Sequence, residues 1–144
     1  FQSGMQTLRQ LEFALFDLSI HRANPASNAE QVQATLNEIR EKYAVLPTTD
    51  YNRFQHSFSH IFAGGYAAGY YSYKWAEVLA SDAFDRFENE GIFNTTTGKQ
   101  FRENILAVGG KDQALDAFIN FRGREPKIDA LLRHQGWTNR SKNA

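Results

Sequence analysis

The residues best suited to chemistry lie in one run, His60-Ile61-Phe62-Ala63-Gly64-Gly65-Tyr66-Ala67-Ala68-Gly69-Tyr70-Tyr71-Ser72-Tyr73. Two adjacent glycines let a backbone approach another chain or a ligand closely. On a helix starting at Tyr66, offsets of four and three put Tyr66, Tyr70 and Tyr73 on one face. Ala67, Ala68, Gly69 and Ser72 fill the spaces between them with small side chains. Three phenols on one face have two uses. They line a groove and hydrogen-bond a ligand, or they pack a core with each hydroxyl satisfied locally. A core seldom takes a phenol where Leu or Phe would avoid an unsatisfied hydroxyl. Side-chain chemistry leaves both uses open.

Other constellations carry less. His56 and His60 stand four apart, the spacing of a helical zinc site. A zinc peptidase of that type needs glutamate directly after the first histidine, and Ser57 occupies that place. No third ligand is near, so no metal is expected between them. Gly98-Lys99 suggests a phosphate loop. However, six residues separate Gly91 from Gly98 where four are required, and Gln100 replaces the magnesium-binding Ser or Thr. A helix start is the better reading. His21 and His134 sit beside expected helix ends, where an imidazolium meets the negative end of the dipole.

The elements that must position these groups follow from periodicity. Leu8, Leu11, Leu15 and Leu18 repeat every three or four residues, with Phe13, Phe16 and Ile20 widening the stripe, and Asn24-Pro25 should end that helix. Ser27-Asn28-Ala29-Glu30 has the form of a capping box. It opens a second helix with Val32, Leu36, Ile39, Tyr43 and Leu46 on one face, stopped by Pro47. A short helix is predicted over Tyr51–Ala63, broken by Gly64-Gly65. The longest helix should then run from Tyr66 to about Glu90, roughly 35 Å at 1.5 Å per residue. Trp75, Leu79, Ala83 and Phe87 make one of its faces, and Gly91 caps it. Shorter helices are expected over about 98–108, 111–121 and from Glu125-Pro126 to Gly136, with a loose polar tail from Thr138. No alternating strand pattern of useful length occurs, so the fold class is all-α.

Composition sets outer bounds. The chain has 144 residues, equal numbers of acidic and basic side chains, no cysteine, and 12 Phe, 6 Tyr and 2 Trp. Zero formal charge gives no signal for nucleic acid or a membrane surface as partner. The lack of cysteine excludes disulfides and thiolate chemistry, and fits a cytoplasmic location. No apolar run reaches membrane-spanning length.

The stretch from Phe58 to Phe84 resembles a signature segment of the thimet-oligopeptidase-like family of zinc metallopeptidases. The resemblance continues through Gly91-Ile92-Phe93-Asn94, Gly98, Phe101-Arg102, Ile105-Leu106, Gly109-Gly110, Phe118 and Phe121-Arg122-Gly123-Arg124-Glu125-Pro126 to Leu131-Leu132, and Met5 to Leu18 shares it. It covers nearly the whole chain.

That resemblance implies a helical C-terminal segment, residues 1–144, of the catalytic domain of a larger, two-lobed peptidase that cuts short peptides in a deep channel. The family's zinc is held by a His-Glu-x-x-His helix and a later glutamate. This motif lies upstream of the matched region and is absent here, so zinc is expected in the full-length enzyme and none in this piece, which should be inactive alone. By matching positions, His60 resembles a substrate-contacting histidine. Tyr66 resembles a phenol near the reaction centre, and Tyr73 the phenol that stabilises the tetrahedral intermediate. Gly64 and Gly65 would bend over the peptide, and Tyr70 shares the face. The expected partners are short peptides and the remainder of the protein, with self-association through apolar surface that the remainder would cover. The competing reading is a helical peptide-binding or interaction module without chemistry. A His-Glu-x-x-His helix in the upstream gene sequence would separate the two.

Overall fold

The computed structural model describes residues 1–22 and 28–138. All regular structure among them is helical, with no strand. The order is α1 (Ser3–Ile20), α2 (Ala29–Tyr43), a 3-10 turn (Phe54–His56), α3 (Ser59–Phe62), α4 (Ser72–Glu90) and α5 (Thr95–Phe101). After α5 come a π-helical turn (Arg102–Leu106), α6 (Ala114–Arg122) and α7 (Asp129–His134). The chain forms two compact units, Phe1–Lys74 and Trp75–Ala144.

In the first unit α1 and α2 pack together around Phe16, Ile20, Leu36 and Ile39, with Phe58, Ile61 and Tyr70 from the segment that follows. The buried face of α1 keeps Phe16 and Ile20 of the expected stripe, with Phe13 and Leu15 packed against them, but leaves out two of its leucines. Leu11 and Leu18 are exposed, whereas Glu12, Ala14, Phe16, Asp17 and Ile20 are buried. The larger rings of Phe13 and Phe16 decide the rotation, because Phe13 stacks on Phe54 at 4.5 Å and Phe16 on Phe58 at 6.3 Å. Helix α2 buries Leu36 and Ile39 as expected, but Leu46 lies beyond its end and is exposed. Its N-cap is Asn28, whose side chain accepts from the Gln31 N–H at 2.9 Å. Asn24, Pro25 and Ser27, assigned a helix end and a cap, lie outside the described residues.

The helix expected over Tyr51–Ala63 is split. A 3-10 turn at Phe54–His56 is followed by Ser57, and α3 starts only at Ser59. Phe54 and Phe58 drive the break. Their rings meet at 4.7 Å beneath Phe13 and Phe16, and packing overrides helix propensity. His56 and His60 therefore do not share one helix face. After α3, Gly65 adopts φ +77° and Gly64 leaves little room for a side chain, since a Cβ there would lie 3.0 Å from the His60 carbonyl oxygen. The chain breaks at Gly64-Gly65 as predicted.

Helix α4 is the longest of the described elements, but it begins at Ser72 and not at Tyr66. Gly91, at φ +107°, ends it, with its N–H on the Phe87 carbonyl at 2.8 Å. In the second unit Leu79, Ala83 and Phe87 pack with Phe101, Ile105, Phe118 and Phe121, while Trp75 is exposed. The helix expected from Gly98 starts earlier, because Asn94 caps α5 by accepting from the Thr96 and Thr97 N–H groups. Pro126 precedes rather than opens the last helix, which begins at Asp129. Thr138 ends the described chain, so the rest of the expected tail lies outside it. No helix among the described residues is long and apolar enough to cross a membrane.

Candidate functional site

Four aromatic side chains of the first unit gather at the end of the glycine loop. The His60 ring lies 6.1 Å from Tyr66, 5.5 Å from Tyr70 and 5.9 Å from Tyr73, centroid to centroid. Tyr73 in turn lies 5.1 Å from Tyr66 and 5.0 Å from Tyr70. The expected trio of phenols is thus assembled, but not by one helix. Tyr66 and Tyr70 belong to a turn ahead of α4, and only Tyr73 sits on the helix.

The four rings differ in their surroundings. Tyr66 and Tyr73 keep 39% and 37% of their surface, and His60 is exposed. Tyr70 is only 7% exposed, packs edge-on to Phe58 at 5.0 Å, and donates its hydroxyl to Gln10 Oε1 at 3.0 Å. Burial pushes the Tyr70 phenol up from its ordinary value, against the weaker opposing effects of Gln10 and Arg9. The Tyr73 phenol is pushed up to about 12, first by a hydrogen bond with the Tyr66 phenol, then by burial and by the neighbouring Tyr66 and Tyr70 phenols. Tyr73 is therefore a neutral donor throughout the pH range in which proteins work.

The glycine loop has a defined backbone. Gly64 N–H and Ala63 N–H donate to the Ser59 carbonyl at 2.7 and 2.8 Å, and Tyr66 N–H to the His60 carbonyl at 3.0 Å. These bonds hold Gly64 and Gly65 at the surface beside His60. The turn that follows contains Ala68 at φ +54°, a conformation costing an L-residue about 1–2 kcal/mol. What holds it is Asp17 of α1, which is fully buried at 0% exposure. Its Oδ1 accepts from Ala68 N–H at 2.8 Å and its Oδ2 from Tyr70 N–H at 2.9 Å. Hydrogen bonds to an ionised acceptor contribute about 1.5–3 kcal/mol each, enough together to outweigh the strained alanine. His21 Nδ1 lies 3.0 Å from Asp17 Oδ1 and 2.8 Å from the Asp17 carbonyl. Both neighbours are acceptors, so Nδ1 carries the proton.

Asp17 and Gln10 were not singled out from the sequence. For Asp17 a signal existed. It interrupts Phe13-Ala14-Leu15-Phe16 and Leu18, and a carboxylate on an apolar helix face is buried only with partners.

A wide cleft of about 830 Å³ on the same unit is lined by residues including Arg9, Glu12, Phe13, Arg40, Tyr43 and Tyr51, and contains none of the four clustered aromatics. Its Arg40 already donates to Glu12 at 2.8 Å and to Asn52 at 3.0 Å, so that cleft reads as a structural seam. Among the described residues no group of three or more His, Asp or Glu side chains is arranged to hold a metal ion.

The comparisons with known proteins agree with the resemblance. The model of peptidase family M3 matches residues 1–137. Oligopeptidase A of Haemophilus influenzae is 55% identical over 139 residues, covering 96% of this chain and 20% of the relative. Oligopeptidase A of Escherichia coli is 54% identical over 136 residues, 94% of this chain and 20% of the relative. Dipeptidyl carboxypeptidase of Salmonella typhimurium is 35% identical over 138 residues, again 94% and 20%. The chain thus spans about a fifth of the length of the curated relatives it matches.

Proposed function

This chain belongs to peptidase family M3, and we propose that it is the part of a zinc-dependent oligopeptidase of the cytoplasm that holds short peptides and donates to the carbonyl being hydrolysed. The observation that carries this reading is the convergence of His60, Tyr66 and Tyr73, all exposed, on a surface glycine loop. The Tyr73 phenol, held at about 12, keeps its proton there.

Hydrolysis of a peptide passes through a tetrahedral intermediate whose oxygen carries developing negative charge. A neutral phenol aimed at that oxygen stabilises it without losing its own proton. The Tyr73 and Tyr66 rings lie 5.1 Å apart in the free chain. In the transition state both turn to the oxyanion, so the interaction strengthens as charge forms, which is the condition for raising kcat. Gly64 and Gly65 offer a backbone free of side chains along which a peptide can lie, and His60 contacts the same peptide from the ring cluster. Tyr70 supports Tyr73 from the core, with its hydroxyl given to Gln10. The described residues offer no zinc ligand set. The chemistry assigned to this chain is therefore that of its phenols, imidazole and backbone, with the metal held by the remainder of the protein. By the same reasoning the isolated chain is inactive and associates through apolar side chains it exposes, Phe62, Trp75 and Phe84 among them.

Steady-state kinetics of the full-length protein on a short peptide test this. Tyr73→Phe should lower kcat far more than Tyr71→Phe, with KM little changed. Equal and small effects would leave the tyrosines as packing and favour a binding module without chemistry.

A further inference from the structure

We propose that Asp17 is a positioning residue for the tyrosine pair: it holds residues 66–71 as a turn, where they would otherwise extend α4 toward its N-terminus. The proposal rests on the reading of Tyr66 and Tyr73 given above.

The sequence from Tyr66 to Glu90 has an unbroken helical period, yet α4 starts at Ser72. The Tyr70 amide, which a helix starting at Tyr66 would give to the Tyr66 carbonyl, points instead at Asp17 Oδ2 at 2.9 Å, and the Ala68 amide, which such a helix leaves unpaired, points at Oδ1 at 2.8 Å. One carboxylate thus takes both N–H groups flanking Gly69, and it does so from a side chain with no exposure. Ala68 itself is left-handed at φ +54°, which alanine does not adopt unaided. Without the carboxylate, Ala68 loses the hydrogen bond that offsets its strain, and its relaxation into the right-handed region is opposed by the Gly69 N–H on the Tyr66 carbonyl at 2.8 Å and by the packing of Tyr70. That relaxation rotates Tyr66 relative to Tyr73, because Tyr73 is fixed on α4 and Tyr66 is not. The ring separation of 5.1 Å therefore depends on a residue roughly fifty positions upstream. The His21 ring, with its Nδ1–H on Asp17, fixes the carboxylate in place. The Gly64-Gly65 segment has its own bonds to Ser59 and His60 carbonyls, so the peptide-holding backbone does not depend on Asp17.

The test uses the full-length protein. Hydrogen exchange of the wild type comes first: Ala68 and Tyr70 amides should exchange at least tenfold more slowly than unprotected peptide amides, and exchange at the unprotected rate overturns the proposal whatever the variants do. Asp17→Asn keeps the side-chain shape but turns an NH2 toward one of the two amides. It should speed exchange of the amide that loses its acceptor at least tenfold and lower kcat at least tenfold, with KM within about threefold, because the loss falls on the transition state. Adding Ala68→Gly, which adopts the turn without strain, should recover part of that kcat; a purely structural aspartate would lower thermal stability without this recovery. Unchanged exchange or unchanged kcat in folded Asp17→Asn overturns the proposal. Tyr73→Phe measured alongside separates the two ideas: a normal rate there defeats the reading of the site, whereas fast wild-type exchange at Ala68 and Tyr70 defeats the role of Asp17.

Discussion

Each unit buries one aspartate almost completely, Asp17 at 0% and Asp82 at 1% exposure, and the two carboxylates are satisfied in different ways. Asp17 takes two backbone amides of a turn and one imidazole. Asp82 takes the Arg124 guanidinium at 2.6 and 2.7 Å, Arg122 at 2.9 Å and the Lys127 N–H at 2.7 Å. Arg122 and Arg133 continue the network to Asp85, and Arg133 and His134 to Glu88. Arg86 lies over the Phe121 ring at 4.9 Å and donates to the Phe121 carbonyl. A carboxylate amid guanidinium groups joins α4 to α6 and the chain beyond it. A carboxylate on backbone amides shapes a loop. Equal burial therefore says little about role; the donors decide it. The run Phe121 to Pro126, part of the family resemblance, gains a structural explanation through Arg122 and Arg124.

The comparison predicts different losses. Asp82→Ala leaves Arg122 and Arg124 without their shared anion, and breaking such a buried pair costs about 3–5 kcal/mol. Urea unfolding should show it as a lowered midpoint. Midpoints that fall equally for Asp17→Asn and Asp82→Ala would erase the distinction between loop and scaffold.

The next effect lies in turnover. Tyr73→Phe should lower kcat about a hundredfold, near 2.7 kcal/mol of transition-state stabilisation. Tyr66→Phe should slow turnover less, and Tyr71→Phe, an exposed ring outside the cluster, should change it little. Peptide kinetics on the three variants check this order.

Acid should act on the second unit through Asp82. Burial pushes the Asp82 carboxyl up, but the hydrogen bonds of Arg124 and Lys127 and the charges of Arg122 and Arg124 outweigh it, so the group ends below its ordinary value. A lowered folded-state value contributes stability that is present above the ordinary value near 4 and is lost as pH falls from there through the folded value, by up to about 1.4 kcal/mol per pH unit. Asp82→Asn should flatten the acid limb of a stability–pH curve. Tyr73 has the opposite sign: its raised value favours the protonated phenol, present below about 10 and lost as pH rises toward about 12. Absorbance titration should lose its highest phenol ionisation in Tyr73→Phe.

The smallest effect is expected at Ala68. Glycine adopts φ +54° without strain but gains freedom in the unfolded chain, so Ala68→Gly should stabilise by no more than about 1 kcal/mol. A clear loss of stability, read by thermal unfolding, would show that the left-handed alanine carries no strain.

The sequence by itself determined the helical class, the break at Gly64-Gly65, the cap at Gly91 and the aromatic run that marks the family. These are local properties: periodicity, missing side chains and residue type act within a turn or two of the chain. Tertiary structure decided which face of α1 is inward, the split between Phe54–His56 and Ser59–Phe62, and the start of α4 at Ser72. Each reverses a local preference through a partner far away in sequence. Phe13 and Phe16 capture Phe54 and Phe58, and Asp17 captures the Ala68 and Tyr70 amides. A helical period shows which residues could share a face. It cannot show that a buried carboxylate some fifty residues earlier will take the Tyr70 amide that a helix starting at Tyr66 would use.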